Sequence, residues 1–239
     1  MRRKIYGIFV AGGSGTRMGG EVPKQFLTLD GRPILQRTIE CFLEAEPDLK
    51  VLTVLPRAHF QTWKDLCAVH SFHCPQTLVA GGLTRFHSVQ NALRKVPDGA
   101  IVAIHDGVRP LISPALVRRM LDRMEQDGCR ALLPVVPVVD TLRSTDPATP
   151  DPDRSKVVAV QTPQIFRSED IKAAYTQAYD LSFTDDASVA ARKEIPLAFE
   201  AGERFNLKIT TPEDLITLRS QFYYENYKKF AKEELKYGL

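Results

Sequence analysis

The stretch IYGIFV, residues 5–10, is a short apolar run that leads directly into the glycine-rich turn AGGSG at residues 11–15. Such a run is typical of a strand that is covered on both faces. Three more runs of the same kind follow along the chain, at residues 51–55, 100–105 and 131–136. The sequence therefore predicts a sheet whose strands are largely buried.

Segments with helical spacing separate these strands, at residues 33–44, 58–69, 85–95 and 114–126. Pro33 and Pro114 suit the first turn of a helix, and Ser113 suits the N-cap. Strands that alternate with helices form a parallel sheet with helices on both faces. We therefore predict an α/β fold, and the length of 239 residues fits one domain over residues 1–239.

Residues 137–166 interrupt this alternation. Their middle, DPATPDPD at residues 146–153, contains three prolines, which exclude both a helix and an interior strand. The flanking residues are β-like, so we predict a β-hairpin arm that projects from the sheet. An arm that cannot be buried within its own chain can pack on a second subunit. A surface insertion without a partner is the alternative.

The last segment, residues 212–239, is predicted to begin as a helix. Thr211 suits its N-cap, and Glu213 and Asp214 suit the first turn because the helix dipole is positive there. We expect a surface helix with one docked face.

Composition and charge exclude several classes of protein. The 32 basic and 29 acidic residues give a net charge of +3, which argues against binding of nucleic acid through bulk charge. No apolar run approaches a membrane span, and the start of the chain does not resemble a signal peptide. The four cysteines lack CxxC spacing, so we expect reduced, mostly buried thiols in a cytoplasmic protein. His70, His73 and Cys74 lie close together, but no second pair of metal ligands has matching spacing.

The turn after the first strand has the composition of a phosphate-binding loop. Three glycines within residues 12–15 allow close approach of the backbone, so that several N–H groups can point at phosphate oxygens. Arg17 and Lys24 follow as two positive charges, which phosphoryl chemistry requires. The loop lacks the GK of a Walker motif. It also lacks the third glycine of a dinucleotide site, and the second strand is not followed by an acidic residue.

The run from Gly12 to Lys24 resembles the GxGxR…PK signature of nucleotidyltransferases that activate sugars and polyols. Its continuation into Gln25 and Phe26 resembles the methylerythritol-phosphate cytidylyltransferase family. Further matches to this family occur in order to about residue 218: GGLTRFHSV at 81–89, HDGVRP at 105–110, TPQ at 162–164, TDDAS at 184–188 and NLKIT at 206–210. The resemblance implies a Rossmann-like, doubly wound, mostly parallel sheet.

The resemblance also implies a nucleotide site for CTP. Its members would be the glycine-rich turn, the two glycines and the serine that read the cytosine, and a carboxylate: Ala11, Gly12, Gly13, Ser14, Gly15, Thr16, Gly81, Gly82, Ser88 and Asp106. Asp106 ends a buried strand, where a hard carboxylate suits Mg²⁺ that is shared with nucleotide phosphates. Capping of the following turn is the alternative role of Asp106. His105 is expected to be a packed or hydrogen-bonded strand residue.

For the acceptor, the resemblance implies a polyol phosphate held by charged and hydroxyl side chains: Arg109, Thr141, Arg154, Thr162, Thr184, Asp185 and Lys208. Asp185 and Thr184 also suit the N-cap of a helix over residues 187–192. The resemblance further implies that the arm crosses to the partner of a homodimer and brings Arg154 to the acceptor phosphate. Phe205, which precedes the NLKIT segment, departs from many relatives.

The implied reaction is transfer of CMP from CTP to 2-C-methyl-D-erythritol 4-phosphate, with release of pyrophosphate, in the non-mevalonate synthesis of isoprenoid precursors. Arg17, Lys24, Arg154 and Lys208 would be the catalytic cations, and Mg²⁺ the cofactor. A ribitol-5-phosphate cytidylyltransferase of cell-wall polymer synthesis is the alternative. A nicotinamide-dependent oxidoreductase and a non-catalytic nucleotide-binding module fit the residues less well.

Overall fold

The computed structural model describes residues 3–13, 22–126 and 128–237. Its strands are β1 Ile5–Val10, β2 Thr28–Leu29, β3 Arg32–Pro33, β4 Lys50–Leu55, β5 Gln76–Ala80, β6 Ile101–Asp106, β7 Ala131–Pro137, β8 Val158–Val160, β9 Gln164–Arg167 and β10 Leu197–Ala201. Its helices are α1 Ile34–Ala45, α2 Phe60–Val69, α3 Arg85–Leu93, α4 Pro114–Gln126, α5 Ser168–Ala174, α6 Asp186–Ala191 and α7 Pro212–Tyr237.

The central sheet has the strand order β10-β7-β9-β6-β1-β4-β5, and β8 pairs with the end of β7. Strands β6, β1, β4 and β5 are parallel, as are β7 and β10, whereas β9 is antiparallel to both of its neighbours. The sheet is therefore mostly parallel, and the predicted α/β class is confirmed. The four predicted strands are present.

Helices cover both faces of this sheet. Phe9 belongs to a buried cluster with side chains of α1, α2 and α4, whereas its neighbour Ile8 belongs to a second cluster with α3, α5 and α6. Successive side chains of a strand point to opposite faces, so one apolar strand supplies two cores. This explains why β1 is apolar at nearly every position, and the doubly wound arrangement is confirmed.

Local details agree in part with the sequence. The Ser113 hydroxyl accepts a hydrogen bond from the Leu116 N–H at 3.0 Å, as the predicted cap of α4. At the start of α7, the carboxylate of Asp214 in the first turn accepts a hydrogen bond from the Thr211 N–H at 2.8 Å. Pro33 was predicted inside the first turn of α1, but it pairs with Thr28 in β3 and immediately precedes the helix.

The predicted arm, residues 137–166, has two parts. Residues 138–157 contain no strand, and β8 returns antiparallel to the end of β7. Residues 164–167 form β9, which is mostly buried in the central sheet. The projecting part therefore ends near Val160. It exposes Val139, Leu142, Val158 and Val160.

Cys41, Cys67, Cys74 and Cys129 have free thiols and pack against the core, each with a partly exposed side chain. Within the described residues, no helix combines the length and apolar character that a membrane crossing requires.

Candidate active site

A cavity of about 500 Å³ opens where β1 and β6 end. Residues 11–13 form one wall, the start of α3 with its preceding loop forms another, and Lys24, Asp106 and Lys208 complete the lining. Ligands of open α/β sheets bind at the carboxyl ends of the strands, because loops from several strands meet there. The predicted nucleotide residues Ala11, Gly12, Gly13, Gly82, Ser88 and Asp106 thus line one space.

Asp106 is the centre of charge in this cavity. Its Oδ2 accepts from Arg109 Nε at 3.1 Å and lies 3.1 Å from Lys208 Nζ, while its Oδ1 lies 3.7 Å from Arg85 Nε. Burial alone would raise the pKa of Asp106, but the charges of Arg85, Lys208 and Arg109 lower it well below the usual range of a carboxyl. Asp106 is therefore ionised at neutral pH, and the cluster keeps an excess of positive charge for an anionic ligand.

A chain of hydrogen bonds behind Asp106 fixes its backbone. The Asp106 N–H donates to Thr162 Oγ1 at 3.1 Å, and His105 Nδ1 lies 3.1 Å from the same hydroxyl. His105 Nε2 lies 3.3 Å from the Arg109 carbonyl, which can only accept. Nε2 therefore carries the proton, and Nδ1 accepts from the Thr162 hydroxyl. Desolvation lowers the pKa of His105 to about 3, which agrees with a neutral ring, and the expected role as a hydrogen-bonded strand residue is confirmed.

Asn206 joins the C-terminal part of the site to this chain. Its side-chain Nδ2 donates to the Thr162 carbonyl at 2.8 Å, and its backbone carbonyl accepts from Arg109 Nη1 at 2.7 Å. Three sequence segments, around Asp106, Thr162 and Lys208, are thereby held together. The order of these segments in the sequence does not reveal this contact.

We expect that His105→Phe lowers the free energy of unfolding by about 1–3 kcal/mol, since the Arg109 carbonyl and the Thr162 hydroxyl lose a buried partner. The phenyl ring keeps the packing of His105 on Phe42, whose ring centroid lies 4.8 Å away. Urea denaturation would measure the change. His59→Phe is the matched control, because His59 is half-buried and makes a ring contact with Phe26. Equal stability of the wild type and His105→Phe would contradict the proposed hydrogen-bond chain.

The loop before α3 forms the wall that we expect to read the base. The Ser88 hydroxyl donates to the Thr84 carbonyl at 2.9 Å and accepts from the Gly82 N–H at 3.0 Å. A Cβ on Gly82 would lie 2.4 Å from the Cβ of His87, so that only glycine fits there. Gly81, Gly82, Leu83 and Ser88 also line an adjoining space of about 440 Å³ beside Gly12.

Lys24 lies in a short helical turn that is anchored at three points. Its Nζ donates to the Ile209 carbonyl at 2.8 Å, and Gln25 Nε2 donates to the Ala11 carbonyl at 2.9 Å. Phe26 is buried and stacks on Trp63 with a centroid distance of 6.1 Å. The turn thus fixes Lys24 beside the glycine-rich wall. Ser14, Gly15, Thr16 and Arg17 lie outside the described residues.

The predicted acceptor residues fall into two groups. Arg109, Thr162 and Lys208 lie in the Asp106 cluster, as described above. Asp185 caps α6 through the Ser188 N–H at 2.8 Å and accepts from Gln164 Nε2 at 2.7 Å, while Thr184 is exposed beside it. Thr141 and Arg154 are exposed on the arm, where Arg154 donates to the Val139 carbonyl at 2.7 Å. Asp185 is thus the neighbour of Asp186, which pairs with Arg85 in the cavity, whereas Arg154 bonds within the arm.

Sequence reasoning gave no role to Arg85 and Asp186, although both lie inside the motifs that it identified. Arg85 lines the cavity and forms a forked ion pair with Asp186, at 2.8 and 2.6 Å. The arginine of the 81–89 segment and the second aspartate of the 184–188 segment were the available signals. Among the described residues, no group of three or more His, Cys, Asp and Glu side chains could hold a metal ion by itself.

Comparison with known proteins is consistent with this geometry. The family model for 2-C-methyl-D-erythritol 4-phosphate cytidylyltransferase matches residues 5–226. Proteins of that name from Bacteroides thetaiotaomicron and Porphyromonas gingivalis are each 45% identical, over 87% and 90% of this chain and over 94% and 96% of their own lengths. The crystal structure of 4-diphosphocytidyl-2C-methyl-D-erythritol synthase from Anaerococcus prevotii superimposes with a TM-score of 0.78 and 25% identity, over 92% of this chain and 96% of its own. This chain belongs to the 2-C-methyl-D-erythritol 4-phosphate cytidylyltransferase family.

Proposed function

We propose that this enzyme transfers CMP from CTP to 2-C-methyl-D-erythritol 4-phosphate and releases pyrophosphate. The observation that carries the proposal is the cavity in which the glycine-rich wall, Lys24 and Lys208 surround the Asp106 carboxylate. The family and its curated relatives support the same acceptor and give no support to ribitol 5-phosphate.

The reaction requires no nucleophile from the protein. An oxygen of the acceptor phosphate attacks the α-phosphorus of CTP, the bond from that phosphorus to the β-phosphate oxygen breaks, and the electron pair leaves with pyrophosphate. The barrier arises from the approach of two anions and from the negative charge that gathers on the α-phosphoryl oxygens. Lys24 and Arg17 would stabilise that charge, and Lys208 with Arg109 would orient the attacking phosphate.

The proposed reaction uses Mg²⁺, and the contacts of the two Asp106 oxygens indicate which of them could bind the ion. Mg²⁺ is usually held by one or two carboxylates together with substrate phosphates. Asp106 Oδ2 contacts both Arg109 and Lys208. Oδ1 lies 3.7 Å from Arg85 Nε, which is too far for a hydrogen bond. Asp106 Oδ1 would therefore hold the ion jointly with the triphosphate. When bound, the ion would neutralise the triphosphate and the leaving pyrophosphate.

The arm would complete the acceptor site of a second subunit. Its exposed apolar side chains, Val139, Leu142, Val158 and Val160, favour burial in a homodimer. Arg154 lies on the same arm and is a strong, bidentate type of phosphate ligand. A dimer in which the arms are exchanged would add Thr141 and Arg154 to the Lys208 side of the partner's cavity.

A mixing experiment tests this arrangement. We expect Arg154→Ala and Lys208→Ala each to be nearly inactive, because each site loses one cation that holds the acceptor phosphate. After subunit exchange between equal amounts, about a quarter of the sites should regain both side chains, one from each chain, if the dimer shares its sites. Steady-state turnover of the mixture would measure this. If Arg154 serves its own chain, the mixture stays inactive although sedimentation shows a dimer.

The function itself is tested by pyrophosphate release from CTP in the presence of Mg²⁺. We expect turnover with 2-C-methyl-D-erythritol 4-phosphate and much slower turnover with ribitol 5-phosphate at equal concentration. Replacement of CTP by ATP should abolish the reaction, because close approach of the backbone at Gly81 and Gly82 would select a cytosine over a purine. Faster turnover with ribitol 5-phosphate would refute the proposed acceptor and leave the cytidylyltransfer.

A further inference from the structure

Asp186 is a carboxylate with no access to solvent, since its exposed fraction is 0%. Both of its oxygens accept from the Arg85 guanidinium, and Oδ1 also accepts from the Tyr175 hydroxyl at 2.6 Å. Tyr175 is itself buried and stacks on Phe86, the residue after Arg85, with a centroid distance of 4.6 Å. The three side chains form a closed group between α3, the end of α5 and the start of α6.

This group is poorly explained as a device for stability. A buried ion pair must offset the desolvation of both charges, and an apolar pair of similar volume is often as stable. Burial lowers the pKa of Arg85, but the charge of Asp186 more than reverses this effect and raises it above the usual value. The guanidinium is therefore a permanent cation, held in one orientation by a forked pair.

The orientation matters because Arg85 faces the cavity. Its side chain is 27% exposed, and its Nε lies 3.7 Å from Asp106 Oδ1. Arg109 and Lys208 hold the other oxygen, Oδ2. Among the described residues, Arg85 is thus the charged neighbour of Oδ1, the oxygen that is left for the metal and the nucleotide. Loss of its position would let the carboxylate rotate.

We propose that Arg85 is a positioning residue for the transfer reaction: Asp186 and Tyr175 hold its guanidinium in place, and the guanidinium fixes the Asp106 carboxylate from the Oδ1 side. The inference rests on the proposed function, because the orientation of Asp106 matters only if that carboxylate acts on the nucleotide. Asp186 and Tyr175 act through Arg85, and Arg85 acts through Asp106.

A double-mutant cycle with Asp106 tests this order. In the wild-type background, Arg85→Lys should lower kcat at saturating substrates by about 10-fold or more. A lysine cannot form both hydrogen bonds to Asp186, and a displacement of about 1 Å in an active site lowers the rate of reaction strongly. In the Asp106→Asn background, the same change should lower kcat less than about twofold, because the group that it positions is already gone. The KM for the acceptor and the KM for CTP should each change by a smaller factor than kcat.

A second substitution covers the case in which Arg85→Lys does not fold. Tyr175→Phe keeps both charges and removes one hydrogen bond, so we expect a loss of about two- to fivefold in kcat that again disappears in the Asp106→Asn background. Asp180→Asn is the matched control. This change breaks the ion pair between Asp180 and Arg192, whose side chains lie 2.8 Å apart and are each about half exposed. It should leave kcat unchanged in both backgrounds.

The outcomes separate the inference from the proposed function. Equal factors of loss in both backgrounds would indicate a structural role of Arg85 and would overturn the inference, while the activity stands. A wild-type protein that releases no pyrophosphate from CTP with the acceptor would overturn the proposed function instead. Loss in the wild-type background alone, with Asp180→Asn unaffected, supports the positioning role.

Discussion

Replacing Lys24 with alanine should lower kcat by about 100-fold or more, because one preorganised cation beside the reacting phosphoryl group is typically worth that much. Lys24 is fixed by its hydrogen bond to the Ile209 carbonyl and lies at the wall formed by residues 11–13. A charge that is already in place needs no reorganisation as negative charge develops. Steady-state pyrophosphate release at saturating CTP and acceptor measures the effect.

The control for Lys24→Ala is Lys50→Ala. Lys50 is exposed at the start of β4, at the edge of the sheet opposite to the cavity. The global charge changes equally in both variants, so kcat should fall only in Lys24→Ala. We expect the circular dichroism spectrum and the midpoint of thermal unfolding to stay near those of the wild type. A kcat within threefold of the wild type would remove Lys24 from the mechanism.

Asp106→Asn should have a similarly large effect, a loss of about 100-fold or more in kcat, for a different reason. The amide has nearly the shape of the carboxylate but cannot balance Arg85, Arg109 and Lys208, and it is a poor ligand for Mg²⁺. Because Arg109 and Lys208 lose their paired carboxylate and Arg85 keeps only Asp186, we also expect the free energy of unfolding to fall by about 1–3 kcal/mol. Kinetics at a temperature where the variant is fully folded separates the two effects.

The matched control for Asp106→Asn is Asp98→Asn. Asp98 is exposed and pairs with Lys172 at the other end of β6. This variant should retain the kcat of the wild type at every concentration of Mg²⁺. If Asp106→Asn also kept a kcat within threefold of the wild type, neither the metal site nor the positioning role of Arg85 could stand.

Much of the site was accessible from the sequence because its parts follow strands. Ala11 and Asp106 come directly after or at the end of buried apolar runs, and parallel strands bring their carboxyl ends to one edge. Strand direction therefore places both segments at one edge, and the pairing of β1 with β6 brings them together. The matching motif residues at Gly82 and Lys208 then complete the cavity.

Three strands and one ion pair of the site could not be predicted from the sequence, for physical reasons. β5, β9 and β10 were not predicted: β5 and β10 are edge strands with mixed exposure, and β9 has only four residues. Nothing in so short a run reveals that it is antiparallel to its neighbours. The pair of Arg85 and Asp186 joins residues 101 positions apart, and the packing of both α3 and α6 on α5 brings them together.

The same limit applies to the arm. Proline content predicted an irregular projecting segment, and the end of β7 with β8 agrees with this. A single chain carries no signal for what covers its apolar side chains. Exchange of arms between subunits thus remains a prediction, which the mixing experiment addresses.

The central claim is that the cavity beyond β1 and β6 holds the triphosphate of CTP. A crystal structure of the complex with CTP and Mg²⁺ tests it most directly. We predict phosphate oxygens within about 3 Å of Lys24 Nζ and of the N–H groups of residues 12–13, with the ion on Asp106. Nucleotide bound outside this cavity, or bound within it while Lys24 points into solvent, would contradict the account.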